Sequence, residues 1–362
     1  MTAHTHKRWQ MVFAYSVAHF LVDFACAFLM FRFIAGTREG YTYVLLYNFC
    51  AFAAGMPLGV IADNINKNYL FAIVGLVLAG AAYGFVQVPL ATVLVIGTGN
   101  TMFHIGGGID VLNVSKKKLS ALGVFVSPGA FGVYFGAILG RGEGMYALYF
   151  PVMLLAAVIM IYIVYKSQKG SYPKNAAFSL GNTGSGNAGS GNTGPGNAAF
   201  GKFLIAAACF FLVVCLRSFV GLALEFPWRG LGNWGVMLIC AVVLGKVAGG
   251  FAADKFGVFK TSLLSLGPAA LLFLLSQVPV AGVAALLLFN MTMPVTLWAM
   301  AKLFPGAKGF SFGLLMFALF LGFLPVYLGS DISAYTPWLF AALSAVSLGI
   351  LLFGLRKSGV KA

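Results

Sequence analysis

The sequence is short of charge, and of acid above all. Asp, Glu, Lys and Arg make up 9% of its 362 residues, and only 8 of these are acidic, against about 25% charged residues in an ordinary soluble domain. Such a chain cannot cover a water-facing surface. It has no Gly-x-x-x-x-Gly-Lys-Ser/Thr loop, so ATP-driven pumping has no phosphate seat. The five cysteines (Cys26, Cys50, Cys209, Cys215 and Cys240) lie in apolar runs at spacings of no metal or redox motif and read as inert core residues. Of the 4 histidines, His4 and His6 precede the first apolar run, which leaves His19 and His104 at membrane depth. No His/Glu/Cys ligand spacing and no clustered acid–base set appears, which speaks against an intramembrane enzyme and predicts no metal. A receptor would normally carry a sizeable soluble output domain, and the longest segment here outside the apolar runs is the Gly/Asn-rich stretch around Gly181–Asn197. No small-residue cleavage site follows Lys7 and Arg8, so a cleaved signal peptide is not expected.

Apolar sequence fills the space that charge leaves. The chain is 60% hydrophobic and 15% aromatic, with mean hydropathy +0.94. Its long apolar runs predict an all-α integral membrane protein of twelve transmembrane helices, among them 9–35, 89–113, 119–140, 261–276, 279–301 and 337–355. Gly181–Asn197 repeats a Gly-Asn-x-Gly-x beat with nothing apolar larger than Ala, and cannot bury enough surface to offset its ordering entropy. It predicts a flexible Gly/Asn-rich linker over 169–201, between a six-helix bundle at 1–168 and another at 202–362. The net charge of +15 is topological and implies no nucleic-acid partner. Arg38, Arg141 and Arg229 alone fall in predicted outer loops and Arg32, Arg217 and Lys246 within spans, the remainder falling on one side. That asymmetry predicts a multi-pass protein with both termini cytoplasmic.

The two halves share a motif. Gly59-x-x-x-Asp63 ends the second apolar run, and Gly250-x-x-x-Asp254-Lys255-x-Gly257-x-x-Lys260 ends the eighth. Equivalent motifs at equivalent positions imply a parallel internal repeat. The second copy resembles the loop motif of the major facilitator superfamily, Gly-x-x-x-Asp-Arg/Lys-x-Gly-Arg-Arg/Lys. The first is degenerate, with Asn64 for the basic residue and Asn66 for the glycine. Ser127-Pro128-x-x-x-Gly132 resembles the fifth-helix motif of antiporters in that superfamily. Within it, the chain resembles the fosmidomycin-resistance drug exporters through His19-Phe20-Leu21-x-Asp23, Gly97-x-Gly99-x-x-x-Phe103-His104, Leu303-Phe304-Pro305-Gly306-x-x-Gly309 and Phe312-Gly313. It departs from them after His104, where Ile105 and three glycines stand, and it lacks the helix-four arginine of many proton-coupled antiporters. The resemblance implies alternating access in the inner membrane and makes Asp63, Gly250, Asp254, Lys255 and Gly257 gating residues.

An ionisable side chain at membrane depth costs at least ~2.5–3.5 kcal/mol on insertion scales and is a functional candidate for that reason. Asp23 is the first such candidate, with His19 one helix turn before it. His104 shares a face with Asn100 and Gly108, a polar small-residue stripe suited to a cavity wall. Arg217 and Lys246 lie inside spans, where they would attract an anion or pair with Asp23 or Glu225. Asp110 reads instead as an interfacial partner of the neighbouring lysines.

These features predict a monomeric secondary transporter in contact with membrane lipids. It would move a small-molecule solute without a cofactor, using a proton gradient. Proton-coupled drug or metabolite export is the leading form, and a carrier for a small organic anion its rival.

Overall fold

A computed structural model describes residues 3–115, 118–142, 146–168, 197–329 and 337–359. The expected linker at 169–196, and Lys116 and Lys117 of the charge map, lie outside them. Among the described residues there is no strand. The first part of the chain forms α1 (Ala3–Leu29), α2 (Gly40–Asn48), α3 (Gly55–Ile65), α4 (Asn68–Ala81), α5 (Pro89–Ser115), α6 (Ser120–Val126), α7 (Pro128–Arg141) and α8 (Tyr149–Ser167). The second forms α9 (Asn197–Ala223), α10 (Trp234–Phe256), α11 (Val258–Leu274), α12 (Pro279–Asn290), α13 (Met293–Leu303), α14 (Lys308–Tyr327) and α15 (Pro337–Ser358). Residues 197–201, expected to close the linker, are instead the first turn of α9, where Ala198 and Ala199 favour helix over coil.

Ten helical segments among the described residues are long and apolar enough to cross a membrane. They include Gly40–Ile65, in which a π-helical turn at Phe49–Ala53 joins α2 to α3, and Ser120–Arg141, which combines α6 and α7. Two expected spans fall outside that set for opposite reasons. Helix α5 is 27 residues long but carries its Gly, Thr, Asn and His stripe, whereas α11 is apolar but only 17 residues long. The outward surface is apolar: Val152 is 60% exposed and Leu271 67%, a face suited to lipid rather than water.

Helix α1 packs on α7, α8 and α5, and α4 lies against α5 and α8. In the second part α9 packs on α14 and α15, α11 on α12 and α15, and α10 on α12. The most extensive contacts between the two parts run along two seams, α3 with α14 and α6 with α10. The first seam depends on backbone approach. A side chain at Gly59 would overlap the Gly309 carbonyl, and one at Gly309 would meet the Gly59 carbonyl in turn. In lipid, where burial in a neighbour gains little over burial in acyl chains, such close packing is the main attraction between helices. At its far end the same seam is joined by Tyr41 and Tyr327, whose stacked rings lie 4.5 Å apart. Each of these hydroxyls donates to the other's backbone carbonyl, at 3.0 and 2.6 Å.

Overpacking a tight contact costs about 1–3 kcal/mol. Gly59→Val should therefore lower the melting temperature of the purified protein by several degrees, while Gly36→Ala, with no atom within 4 Å, should leave it unchanged. Equal melting of the two variants would show that the seam is not closely packed.

Candidate functional site

The site begins with a broken helix. Proline at 128 has no N–H to give to the carbonyl of Val124, so the span that crosses this region stops at Val126 as α6 and restarts at Pro128 as α7. The last four carbonyls of a helix have no donors within it. Here side chains reach those of α6. Ser127 Oγ donates to Gly123 O (2.7 Å), His19 Nδ1 to Phe125 O (2.8 Å) and Lys246 Nζ to Val126 O (3.3 Å), while Ser16 Oγ, whose single proton lies nearer Val12 O (2.7 Å), stands 3.2 Å from Val124 O. Two of the predicted site residues are thus oriented by the same helix end.

His19, fixed in this way, meets Asp23 on its own helix and His104 on α5. The His19 Nε2 to Asp23 Oδ2 distance is 3.2 Å and the His104 Nε2 to Asp23 Oδ1 distance 3.6 Å. The two Nε2 atoms stand 2.9 Å apart, and Asn100 Nδ2 donates to Asp23 Oδ1 at 3.2 Å. His19 and His104 are 6% and 8% exposed. His104 Nδ1 lies 2.8 Å from the Asn100 carbonyl. A carbonyl oxygen only accepts, so both Nδ1 atoms carry hydrogen, and both rings present Nε2 to each other. Two lone pairs at that distance repel unless one proton lies between them. With that proton the trio with Asp23 is neutral; without it the trio carries one negative charge. Asp23 sits in a fold of small residues: a methyl group at Gly129 would overlap both the His19 ring and the Asp23 carboxylate.

The three donor atoms also lie within 4.8 Å of one another, a grouping that could in principle hold a metal ion. Linear spacing hid this group, because His104 reaches it from 85 residues away. Two imidazoles bound tetrahedrally at about 2.0–2.1 Å would hold their nitrogens roughly 3.3 Å apart. The observed 2.9 Å is the length of an N–H···N bond instead. A divalent cation would also share the cavity with two positive side chains.

Those two are Arg217 and Lys246, which together with His19, Asp23 and His104 line one cavity of about 220 Å³. Arg217 is 7% exposed and is held by Thr292 Oγ1 (2.9 Å) and Thr296 Oγ1 (3.2 Å). These hydroxyls lie one turn apart beside the break between α12 and α13, where Met291 and Thr292 precede Pro294. The expected ion pair of Arg217 or Lys246 with Asp23 or Glu225 does not form. Asp23 is engaged by the two histidines, and Glu225 is exposed outside the cavity.

The repeated motif acts at one end of the molecule. Asp63, near the end of α3, accepts the N–H groups of Gly309 and Phe310 at the start of α14, both at 2.9 Å. Asp254, near the end of α10, accepts those of Leu119 and Ser120 at the start of α6, at 2.6 and 3.2 Å. Each carboxylate caps a helix N-terminus across a seam, where the helix dipole also favours negative charge. Gly250 sits at the second contact, where a side chain would press on Leu119 and Ser120. Gly257, at φ 80°, makes the turn into α11. Lys255 stands apart from the contact, exposed, with its ammonium 5.1 Å from the Phe256 ring centre.

Asp110 is fully buried and accepts from Tyr15 OH (2.6 Å) and Asn68 Nδ2 (3.0 Å); Lys116 and Lys117, expected among its partners, lie outside the described residues. Thr292, Thr296, Ser16 and Gly129 were not anticipated. Only the Thr-Met-Pro sequence at 292–294 carried a signal, a hydroxyl next to a proline in an apolar run.

By sequence the chain matches no family profile and no curated protein. By fold it is similar to transporters of the major facilitator superfamily. The E. coli fucose:proton symporter FucP superposes with TM-score 0.65 at 14% identity, over 97% of this chain and 98% of that one. The human organic anion transporter MFSD10 gives 0.64 at 14% identity, over 95% and 99%. A bacterial homologue of the iron transporter ferroportin, in its outward-facing state, gives 0.59 at 13% identity, over 98% and 100%. The chain therefore has the major facilitator fold.

Hydrogen bonds to a charged group are worth about 1.5–3 kcal/mol each. Asp254→Asn should loosen the α6–α10 contact, so that a cysteine placed at the buried Ser120, in a background free of other cysteines, reacts faster with a water-soluble maleimide. Unchanged labelling would show that Asp254 does not hold this end closed.

Proposed function

We propose that the chain is a proton-coupled secondary active transporter that moves a small organic solute across the inner membrane by alternating access. In this reading α5 and α11 complete twelve spans, arranged as six-helix halves at 1–168 and 202–362. Both termini and the Asp63/Asp254 end face the cytoplasm. The protein acts as a monomer and needs no cofactor. One observation carries the reading: a buried carboxylate and two imidazoles that together require a single proton line the cavity that also holds Arg217 and Lys246.

The mechanism follows from that arrangement. Water reaching the cavity from one side solvates Asp23 and the histidines and lets the shared proton leave. Loss of that proton leaves one net negative charge beside the solute, which alters the relative stability of the two access states. The Asp63 and Asp254 contacts close one end, and breaking them permits the halves to rock. Gly250 supports this gate by admitting the α6 backbone, Gly257 turns the chain behind it, and Lys255 contributes charge at the membrane surface. The resemblance to the fosmidomycin-resistance exporters supports antiport and export.

Asp23→Asn tests the coupling. In proteoliposomes it should abolish solute accumulation driven by a pH gradient while retaining binding and solute exchange, with the solute chosen by thermal shift. Accumulation at the wild-type level by the Asn variant would remove Asp23 from the coupling mechanism.

A further inference from the structure

We propose that the solute is a small organic anion whose acid group is held by Arg217 and Lys246. The assignment of a binding site stands on the cavity itself, and only the claim that the anion is transported rests on the function proposed above.

The donor count makes the case. A guanidinium has five N–H donors and an ammonium three. Two of Arg217's donors go to the hydroxyls of Thr292 and Thr296, and one of Lys246's goes to the Val126 carbonyl. No carboxylate among the described residues pairs with either side chain. The one carboxylate on the cavity wall, Asp23, is already turned to His19, His104 and Asn100. The cavity thus offers several charged donors and no free anionic acceptor. A neutral polyol would need acceptors as well as donors, and a cation would be repelled by two positive charges in a low-dielectric space. An oxyanion with several lone pairs satisfies the donors that remain.

Size and lining narrow the class. At about 220 Å³ the cavity is smaller than the roughly 300–1,000 Å³ of sites for drug-sized ligands. Phe52, Met316 and Leu319 share its wall with the two cations. The fitting ligand therefore has an acid group at one end and a compact apolar body at the other. Binding would also bring the acid group into competition with the Val126 carbonyl for Lys246. Lys246 belongs to α10 and Val126 to α6, so an occupant at this point acts directly on one of the two seams.

The test uses the full chain in lipid nanodiscs, with calorimetry and thermal shift read on matched compounds: benzoate, phenylphosphonate and hexanoate as acids, benzamide as the neutral analogue and benzylammonium as the cation. At least one acid should bind ten-fold or more tightly than benzamide, with benzylammonium weaker still. Arg217→Gln should weaken that acid by ten-fold or more, and Arg217→Lys by less. If Arg217→Gln does not fold, Lys246→Gln and Arg217→Lys are read in its place, each expected to weaken the acid selectively. Equal binding of acid and amide, preference for benzylammonium, or no acid binding at millimolar concentration would overturn the proposal. Acid binding without pH-gradient-driven accumulation in proteoliposomes would uphold the anion site and count against the transporter reading. Proton-driven accumulation of a neutral solute alone would do the reverse.

Discussion

The carbonyl end of α6 is the constraint on which the rest of the site depends. A helix that stops inside a membrane exposes four acceptors to a medium that cannot hydrate them, and each left bare would cost several kcal/mol. Ser127, His19 and Lys246 donate to three of them, and the Ser16 hydroxyl lies 3.2 Å from the fourth. The donors come from α6's own flank, from α1 and from α10, so one backbone break ties three elements together. It also fixes the directions of an imidazole and an ammonium. His19 can present only Nε2 to Asp23 and His104, because Nδ1 is committed to Phe125. A structural requirement of the bilayer thus selects the tautomer at the candidate site.

The consequence is a small space in which acid, base and cation are mutually dependent. The proton between the histidines is balanced by Asp23, and Arg217 stands across the cavity on hydroxyl rather than carboxylate partners. The contacts that cross the seams include carboxylates on helix N-termini, at Asp63 and Asp254, glycine crossings between backbones, the Tyr41–Tyr327 pair and the bond from Lys246 to the Val126 carbonyl. Such contacts suit the alternating access proposed above.

The sequence revealed local relationships well and distant ones poorly. His19 and Asp23, one turn apart, were legible as a pair because helical geometry alone puts them on one face. Asp63 and Asp254 stood out because the motif occurs twice, but the helix ends they cap were not legible. His104 was readable as part of a polar stripe, but its contact with His19 depends on the packing of α5 beside α1, which no spacing encodes. The bonds that Asp110 accepts from Tyr15 and Asn68 come from two other helices and were not legible for the same reason. Arg217 was expected to attract an anion or to pair with Asp23 or Glu225; its two threonine partners stand at a helix break that composition did not disclose. The polar stripe of α5 shows why hydropathy alone ranks a cavity-lining helix low: residues that line a cavity are those a lipid-facing span would exclude.

The most direct measurement of the central claim is nitrogen NMR of protein labelled with ¹⁵N at histidine. With 4 histidines in the chain, two of them ahead of the first apolar run, the spectrum is simple. The account predicts that His19 and His104 both carry hydrogen on Nδ1 and share one proton, seen as a coupling between their two Nε2 nitrogens across the hydrogen bond. Two independent rings, with either Nδ1 unprotonated and no coupling between the Nε2 atoms, would contradict it.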